Sequence, residues 1–233
     1  MCGRFSQSLS REEYLSVLTG DVDKDIPFDP APIARYNVAP GTKVLILSQR
    51  GGALHIDPVL WGYAPPWWDK PPLINARVET AASSRMFRSL WENGRAICFA
   101  DGRFEWKREG DKKQPYFIHR VDRKPIMMAA IGSTPFERGD EQEGFLIVTA
   151  AADKGLVDIH DRRPMVLTYE AAQEWLRQDH DGKAAVGIAN DGVVPAEDFT
   201  WHAVSRAVGN VKNQGRELIE PVPSSNESVH KFV

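Results

Sequence analysis

Arg95-Ala96-Ile97-Cys98-Phe99-Ala100-Asp101-Gly102-Arg103-Phe104-Glu105-Trp106-Lys107 holds two short runs, Arg95 to Ala100 and Arg103 to Lys107, that are apolar or alternating and read as β-strands. Three more runs of the same kind follow, Gln114 to Arg120, Pro125 to Ile131 and Phe145 to Ala151. Turn-rich segments such as Glu109-Gly110-Asp111 and Glu137-Arg138-Gly139-Asp140 separate them, so from Arg95 onward the chain is mostly β. Cys98, inside the first run, reads as a small buried hydrophobe. Glu105 sits between two aromatics, Phe104 and Trp106. Either it faces solvent, or it faces a partly desolvated pocket that would raise its pKa and let it exchange protons near neutrality.

On the N-terminal side, strands are expected at Lys43 to Ser48 and Leu54 to Tyr63, joined as a hairpin by Gly51-Gly52. Pro58 marks the second as an edge or bulged strand. Ser10 and Glu13 form a capping-box pattern opening a helix that stops at Gly20, and Asp21 to Pro32 reads as loop. Ala64-Pro65-Pro66-Trp67-Trp68-Asp69-Lys70-Pro71-Pro72 cannot be regular helix or central strand. Its paired tryptophans either cap the core or present flat faces on which nucleobases stack. Asn75, Arg77 and Glu79 share one side if their segment is extended, and a helix is predicted from about Ala81 to Trp91, closed by Asn93-Gly94.

Beyond the β region, Asp158-Ile159-His160-Asp161-Arg162-Arg163-Pro164-Met165-Val166-Leu167 ends in a strand and precedes a helix, capped by Thr168, that runs from Tyr169 through Leu176. His160 is either a merely exposed histidine or the best placed general base of six. Asp179 to Asp198 is polar and acidic, Trp201 to Val204 reads as a final strand, and Pro221 to Val233 as a disordered tail.

The net charge of -3 argues against an overall basic nucleic-acid binder. Between Pro30 and Arg95, however, eight basic residues face four acidic ones. A basic face on an acidic body is the pattern of a local phosphate-binding groove; a scatter of arginines over a solvated surface is the alternative. No apolar run approaches membrane-spanning length and no signal-peptide pattern opens the chain, so a cytoplasmic protein is expected. Two cysteines and no zinc-ligand spacing suggest neither disulfide nor metal.

Met1-Cys2-Gly3-Arg4-Phe5 carries the chemistry of greatest interest. Trimming of Met1 would leave Cys2 with a free α-amine beside its thiol, whose reference pKa values are about 7.7 to 8.0 and about 8.5. The amine can form a Schiff base with an aldehyde, and the thiol can then close a five-membered thiazolidine. The other reading is an ordinary second residue on a frayed terminus.

These segments together resemble one family. Met-Cys-Gly-Arg-Phe, Tyr36-Asn37-Val38-Ala39-Pro40, Trp61-Gly62, Asn75-Ala76-Arg77-Val78-Glu79-Thr80, Phe104-Glu105-Trp106, His160-Asp161-Arg162-Arg163-Pro164-Met165 and Val208-Gly209-Asn210 are similar to the SRAP (SOS response-associated peptidase) family. One departure is that relatives often read His-x-Arg-Met-Pro, whereas here Met165 follows Pro164; His160 is untouched by it. The resemblance implies an α+β fold: a single β-rich domain over residues 2–222, with a mixed or antiparallel barrel-like sheet flanked by short helices, and a tail at 223–233. It implies a monomer without cofactor or metal that binds single-stranded DNA and junctions with duplex, in the cytoplasm at the nucleoid and replication fork.

The implied activity is capture of the ring-opened abasic-site aldehyde by Cys2 as a thiazolidine, with Schiff-base, lyase-type chemistry and self-removal of Met1. General methionine trimming would expose Cys2 equally well. By motif, Glu105 would shuttle protons, His160 would assist proton transfer and crosslink reversal, and Asn75 would orient the Cys2 backbone or the sugar. Arg4, Arg77, Arg85 and Arg162 would hold phosphates, and Trp67 and Trp68 would support bases beside the lesion. Two other classes are carried beside this one: a cysteine peptidase acting in trans through Cys2 and His160, and a non-catalytic single-strand-binding module.

Overall fold

The computed structural model describes residues 2–19, 31–133, 143–152 and 160–223. Along the chain the strands are β1 (Phe5–Gln7), β2 (Arg35–Val38), β3 (Lys43–Arg50), β4 (Ala53–Leu60), β5 (Asn75–Arg77), β6 (Arg95–Ala100), β7 (Gly102–Glu109), β8 (Lys112–Arg120), β9 (Ile126–Ser133), β10 (Gly144–Ala151), β11 (Arg162–Pro164), β12 (Val166–Leu167) and β13 (Phe199–Ala203). The helices are α1 (Arg11–Thr19), α2 (Val78–Ala81), α3 (Arg88–Asn93), α4 (Tyr169–Leu176) and α5 (Gly182–Asp191).

Two sheets form. One runs β13-β8-β7-β1-β2; the other runs β11-β10-β9-β6-β3-β4, with β12 on β9 and β5 parallel to β10. Strand β6 shows how they stack. All six of its residues are buried, which requires cover on both faces. Alternate side chains go to different cores: Ile97 and Phe99 pack with Tyr14, Trp91 and Trp175 from the helices, whereas Ala96, Cys98 and Ala100 pack with Phe5, Val38 and Ile118 of the other sheet. The larger sheet is therefore a middle layer between helices and a second sheet. A third, smaller cluster, Phe104, Phe117, Val204, Val208 and Leu218, lies on the outer face of the five-stranded sheet.

Among the helices, Trp91 and Trp175 meet edge to face with centroids 5.1 Å apart, and the Trp175 indole N–H donates to the carbonyls of Ala96 at 3.1 Å and Ala130 at 3.3 Å. Trp175→Ala is expected to cost about 3–5 kcal/mol, since it opens a cavity in the buried core. Chemical denaturation of the variant measures that loss.

Local expectations hold where chemistry at short range decides. Ser10 Oγ accepts from the Glu13 N–H at 3.2 Å and Glu13 accepts from the Ser10 N–H at 2.8 Å, the reciprocal capping box that opens α1. Gly51 and Gly52, with φ of +56° and +84°, make the tight turn between β3 and β4, and β4, carrying Pro58, lies at the sheet edge. Thr168 accepts from the Ala171 N–H at 3.2 Å and caps α4.

Several expectations are corrected. The helix predicted from Ala81 to Trp91 is two short ones, because the Ser84 side chain accepts from the Met86 N–H and its carbonyl accepts from the Phe87 and Arg88 N–H groups, offering the backbone a turn in place of helix. The polar stretch Asp179 to Asp198 contains α5, capped by Asp181, which accepts from the Ala184 N–H at 2.8 Å. The barrel-like sheet, by contrast, holds in a loose sense: the larger sheet is not closed by a continuous ladder, but a bridge between Trp61 and Phe145 curls the end of β4 back against β10. The loop expected at Asp21 to Pro32 is described only from Ala31, and the turn at Glu137 to Asp140 lies outside the described residues. So does the expected tail beyond Pro223; Pro221 bridges to Val204.

Candidate active site

Cys2 is the starting point. Rather than fraying, it is fully buried in the layer between the sheets. Its segment is tied into the fold: the Phe104 N–H donates to the Arg4 carbonyl at 2.9 Å, Phe5 pairs with Arg103, and the Asn75 side-chain amide donates to the Cys2 carbonyl at 2.9 Å. Burial pushes the thiol up to about 12; Glu105 adds to the rise and Arg103 opposes it.

Glu105 comes from β7, whose alternation turns Phe104 outward and Glu105 inward. It is buried and accepts from the Arg103 guanidinium at 2.7 Å. Desolvation raises its pKa above the usual carboxylate range, against the pull of Arg103. Glu105 also lines a cavity of about 410 Å³ with Trp106, Lys113, His160 and Gly209. Of the two orientations open from sequence, the pocket-facing one is found.

His160, a third exposed, has its Nδ1 2.7 Å from the Asp161 carboxylate and 3.0 Å from the Arg162 backbone N–H. The first contact needs a proton on Nδ1 and the second needs a lone pair there. Either way Nδ1 is committed to its own segment, so the cavity chemistry of His160 belongs to Nε2.

The remaining candidate residues divide in two. Trp67 is 63% exposed, and half-buried Trp68 meets it edge-on with centroids 6.1 Å apart. Trp68 also donates from its indole N–H to the Pro71 carbonyl at 3.0 Å, with the Lys70 ammonium 5.5 Å from its ring centre. The core-capping alternative for this pair is thus overturned: the proline-rich loop props the rings outward. Arg77 and Arg85 are exposed. Arg4 is half-buried, donates to Asn37 at 2.8 Å and to the Val208 carbonyl at 2.7 Å, and lies over Trp106.

Arg162 is engaged. It forms a fork on Glu79 at 2.7 and 3.0 Å and donates to the Thr149 carbonyl at 2.7 Å. Its hydrogen-bonding groups are largely spent on holding the strands, which sets it apart from Arg77 and Arg85. Glu79 does not continue the extended row of Asn75 and Arg77, because the chain turns into α2 at Val78.

Two residues of the site were given no role from sequence, although Asn37 lies inside the family motif Tyr36-Asn37-Val38-Ala39-Pro40. Arg103 is one; its spacing of two from Glu105 on a strand is the pattern that reveals it. Asn37 is the other. Its side-chain amide donates to the Val208, Asn210 and Asn213 carbonyls at 2.9 to 3.1 Å, clamping the C-terminal loop against the cavity wall beside Arg4.

Fold and site together define a class: β-rich α+β proteins that bury a tethered second-residue cysteine in the field of a buried carboxylate, with a histidine on the same cavity as that carboxylate. The sequence model of the SOS response associated peptidase (SRAP) family matches residues 1–211, and the chain belongs to that family. It is 74% identical over 222 residues to the abasic site processing protein YedK of Escherichia coli (strain K12), across 95% of this chain and 100% of that one. It is 31% identical over 204 residues to the abasic site processing protein HMCES of Pongo abelii, across 72% of this chain and 57% of that one. Among solved structures, a phage-related protein of Bordetella bronchiseptica has a TM-score of 0.75 at 33% identity, covering 88% of this chain and 95% of that one.

Proposed function

We propose that this protein processes abasic sites in single-stranded DNA by covalent capture at Cys2. The observation that carries the reading is a buried Cys2, tethered by Asn75, in one electrostatic unit with a carboxylate of raised pKa. The two abasic site processing relatives support the substrate class. Once Met1 is removed, the neutral α-amine adds to the ring-opened aldehyde carbon to give a carbinolamine. Glu105 gives its proton to the departing hydroxyl and water leaves, forming the iminium. The thiol then returns a proton to Glu105 as sulfur attacks the iminium carbon and the C=N π pair moves to nitrogen, closing the thiazolidine. One water is lost overall. A thiol held near 12 needs such a base.

His160 assists proton transfer in forming and reversing the crosslink. Asn75 fixes the Cys2 carbonyl so that amine and thiol meet one carbon. Arg77 and Arg85 take backbone phosphates, with Arg4 nearer the cavity and Arg162 buttressing the wall through Glu79. A trans-acting cysteine hydrolase fits less well, because burial raises the Cys2 thiol pKa and disfavours the resting thiolate such an enzyme uses.

Intact mass before and after incubation with an oligonucleotide bearing one abasic site tests the proposal. The expected result is loss of one methionine, then a heat-stable adduct of protein plus DNA less one water. Processed protein that binds the DNA without an adduct overturns covalent capture in favour of a binding module. Blocking the α-amine while sparing the thiol should likewise stop crosslinking; a hydrolase would survive it. Trp67→Ala is expected to weaken binding of undamaged single strands by about 1–3 kcal/mol, the worth of one stacked base. Melting temperature should barely move, as the ring is largely in solvent. Fluorescence anisotropy and thermal melts report the two quantities.

A further inference from the structure

We propose that Arg103 is a positioning residue for proton transfer by Glu105, its guanidinium holding the carboxyl in place through Oε1. The inference rests on the covalent-capture reading. On β7, Arg103 and Glu105 share the face turned into the layer between the sheets; the partners of Arg103 in register, Phe5 and Ile118, belong to the same buried cluster as Cys2. Their side chains are only 5% and 3% exposed, and the N–O distance is 2.7 Å. A buried ion pair of this kind is seldom better for stability than two well-packed apolar side chains, so stability alone does not account for a guanidinium here.

Its electrostatic effect is specific. Arg103 is the largest influence opposing burial at both Cys2 and Glu105. Besides Arg103, the charged or titratable groups around Glu105 are the Cys2 thiol and the terminal amine, His160 and Asp161 from the segment entering β11, Tyr116 opposite it on β8, and Lys113 on the cavity wall. A guanidinium N–H already donating to Oε1 keeps a proton off that oxygen. In ring closure the S–H bond breaks and the proton passes to the Glu105 carboxylate, while the S–C bond forms and the C=N π pair moves to nitrogen. No further reactant is needed.

The test compares wild type, Arg103→Met and Arg103→Lys by two readouts. One is the pH titration of the Glu105 carboxyl by ¹³C NMR without DNA, assigned against Glu105→Gln. The other is the pH profile of single-turnover crosslinking to an abasic-site oligonucleotide. Arg103→Met is expected to move both the titration midpoint and the alkaline limb upward by about one pH unit or more. Arg103→Lys keeps the charge and most of the midpoint, yet lowers the plateau rate about tenfold, since an ammonium lacks the fork that fixes Oε1. Should Arg103→Met not fold, Arg103→Lys decides. Midpoint, limb and plateau all unchanged beside a lower melting temperature would make Arg103 a core strut and overturn the proposal. A wild type that forms no adduct overturns covalent capture instead, and the DNA-free titration still decides whether Arg103 governs Glu105.

Discussion

Cys2→Ala removes the heat-stable protein–DNA adduct, with yield on an abasic-site oligonucleotide falling by about 10²-fold or more, to the detection limit. The terminal amine survives the substitution, so an imine still forms. Without sulfur to close the ring it remains exchangeable with water and open to elimination of the 3′ strand, and borohydride reduction should trap it while heating should not leave it intact. Binding of undamaged single strands should be unchanged, because the side chain is fully buried between the sheets. The loss of one buried sulfur costs little packing, so a folded variant is expected. Denaturing electrophoresis with and without borohydride reads the outcome, and full heat-stable crosslinking by Cys2→Ala would sink the mechanism.

Glu105→Gln slows crosslinking by about 10²- to 10⁴-fold, the usual contribution of one positioned acid–base group. Glutamine keeps an oxygen for the buried Arg103 to donate to, which separates proton transfer from structure in a way that alanine would not. The pH dependence supplies the sign. Burial raises the Glu105 pKa, so the protonated form needed for dehydration persists above the ordinary carboxylate range and is lost as pH rises through the folded-state value. The wild-type dehydration rate should fall along that alkaline limb, and the limb should be absent from the Gln variant. The same sign governs stability: the folded state binds this proton more tightly than the unfolded chain does, so Glu105 costs stability as pH rises through its folded pKa. Affinity for undamaged DNA should stay nearly intact. An equal fall in affinity and in rate would mean that Glu105 is structural.

The strand runs from Arg95 onward, the capping box at Ser10 and Glu13, the Gly51-Gly52 turn and the Thr168 cap were legible because each is settled within a few residues of chain. The broken helix after Ala81 and the helix after Asp181 were not, since in both the polar side chains of Ser84 and Asp181 redirect a backbone whose apolar spacing is weak. At the site, a terminal aminothiol could be read from two residues and the family motifs drew attention to Asn75, Glu105 and His160. Arg103 and Asn37 were assigned no role: the first had to be seen beside Glu105 in a buried layer, and the second, though inside a family motif, makes its contacts with carbonyls more than 170 positions away.

Sequence by itself determined the reactive groups at Cys2, a mostly β chain from Arg95 onward and the presence of a basic, tryptophan-bearing segment, because these follow from covalent chemistry, side-chain period and composition; the α+β class came with the family resemblance. Only the tertiary structure decided that Cys2 is buried rather than frayed, that Glu105 faces a pocket rather than water, that Trp67 is presented while Arg162 is tied down, and that Arg103 shares a dry layer with the cysteine. Burial and charge pairing arise from which strands stack on which, and it is the loss of water around those groups that turns an ordinary thiol and carboxylate into a coupled proton-transfer unit.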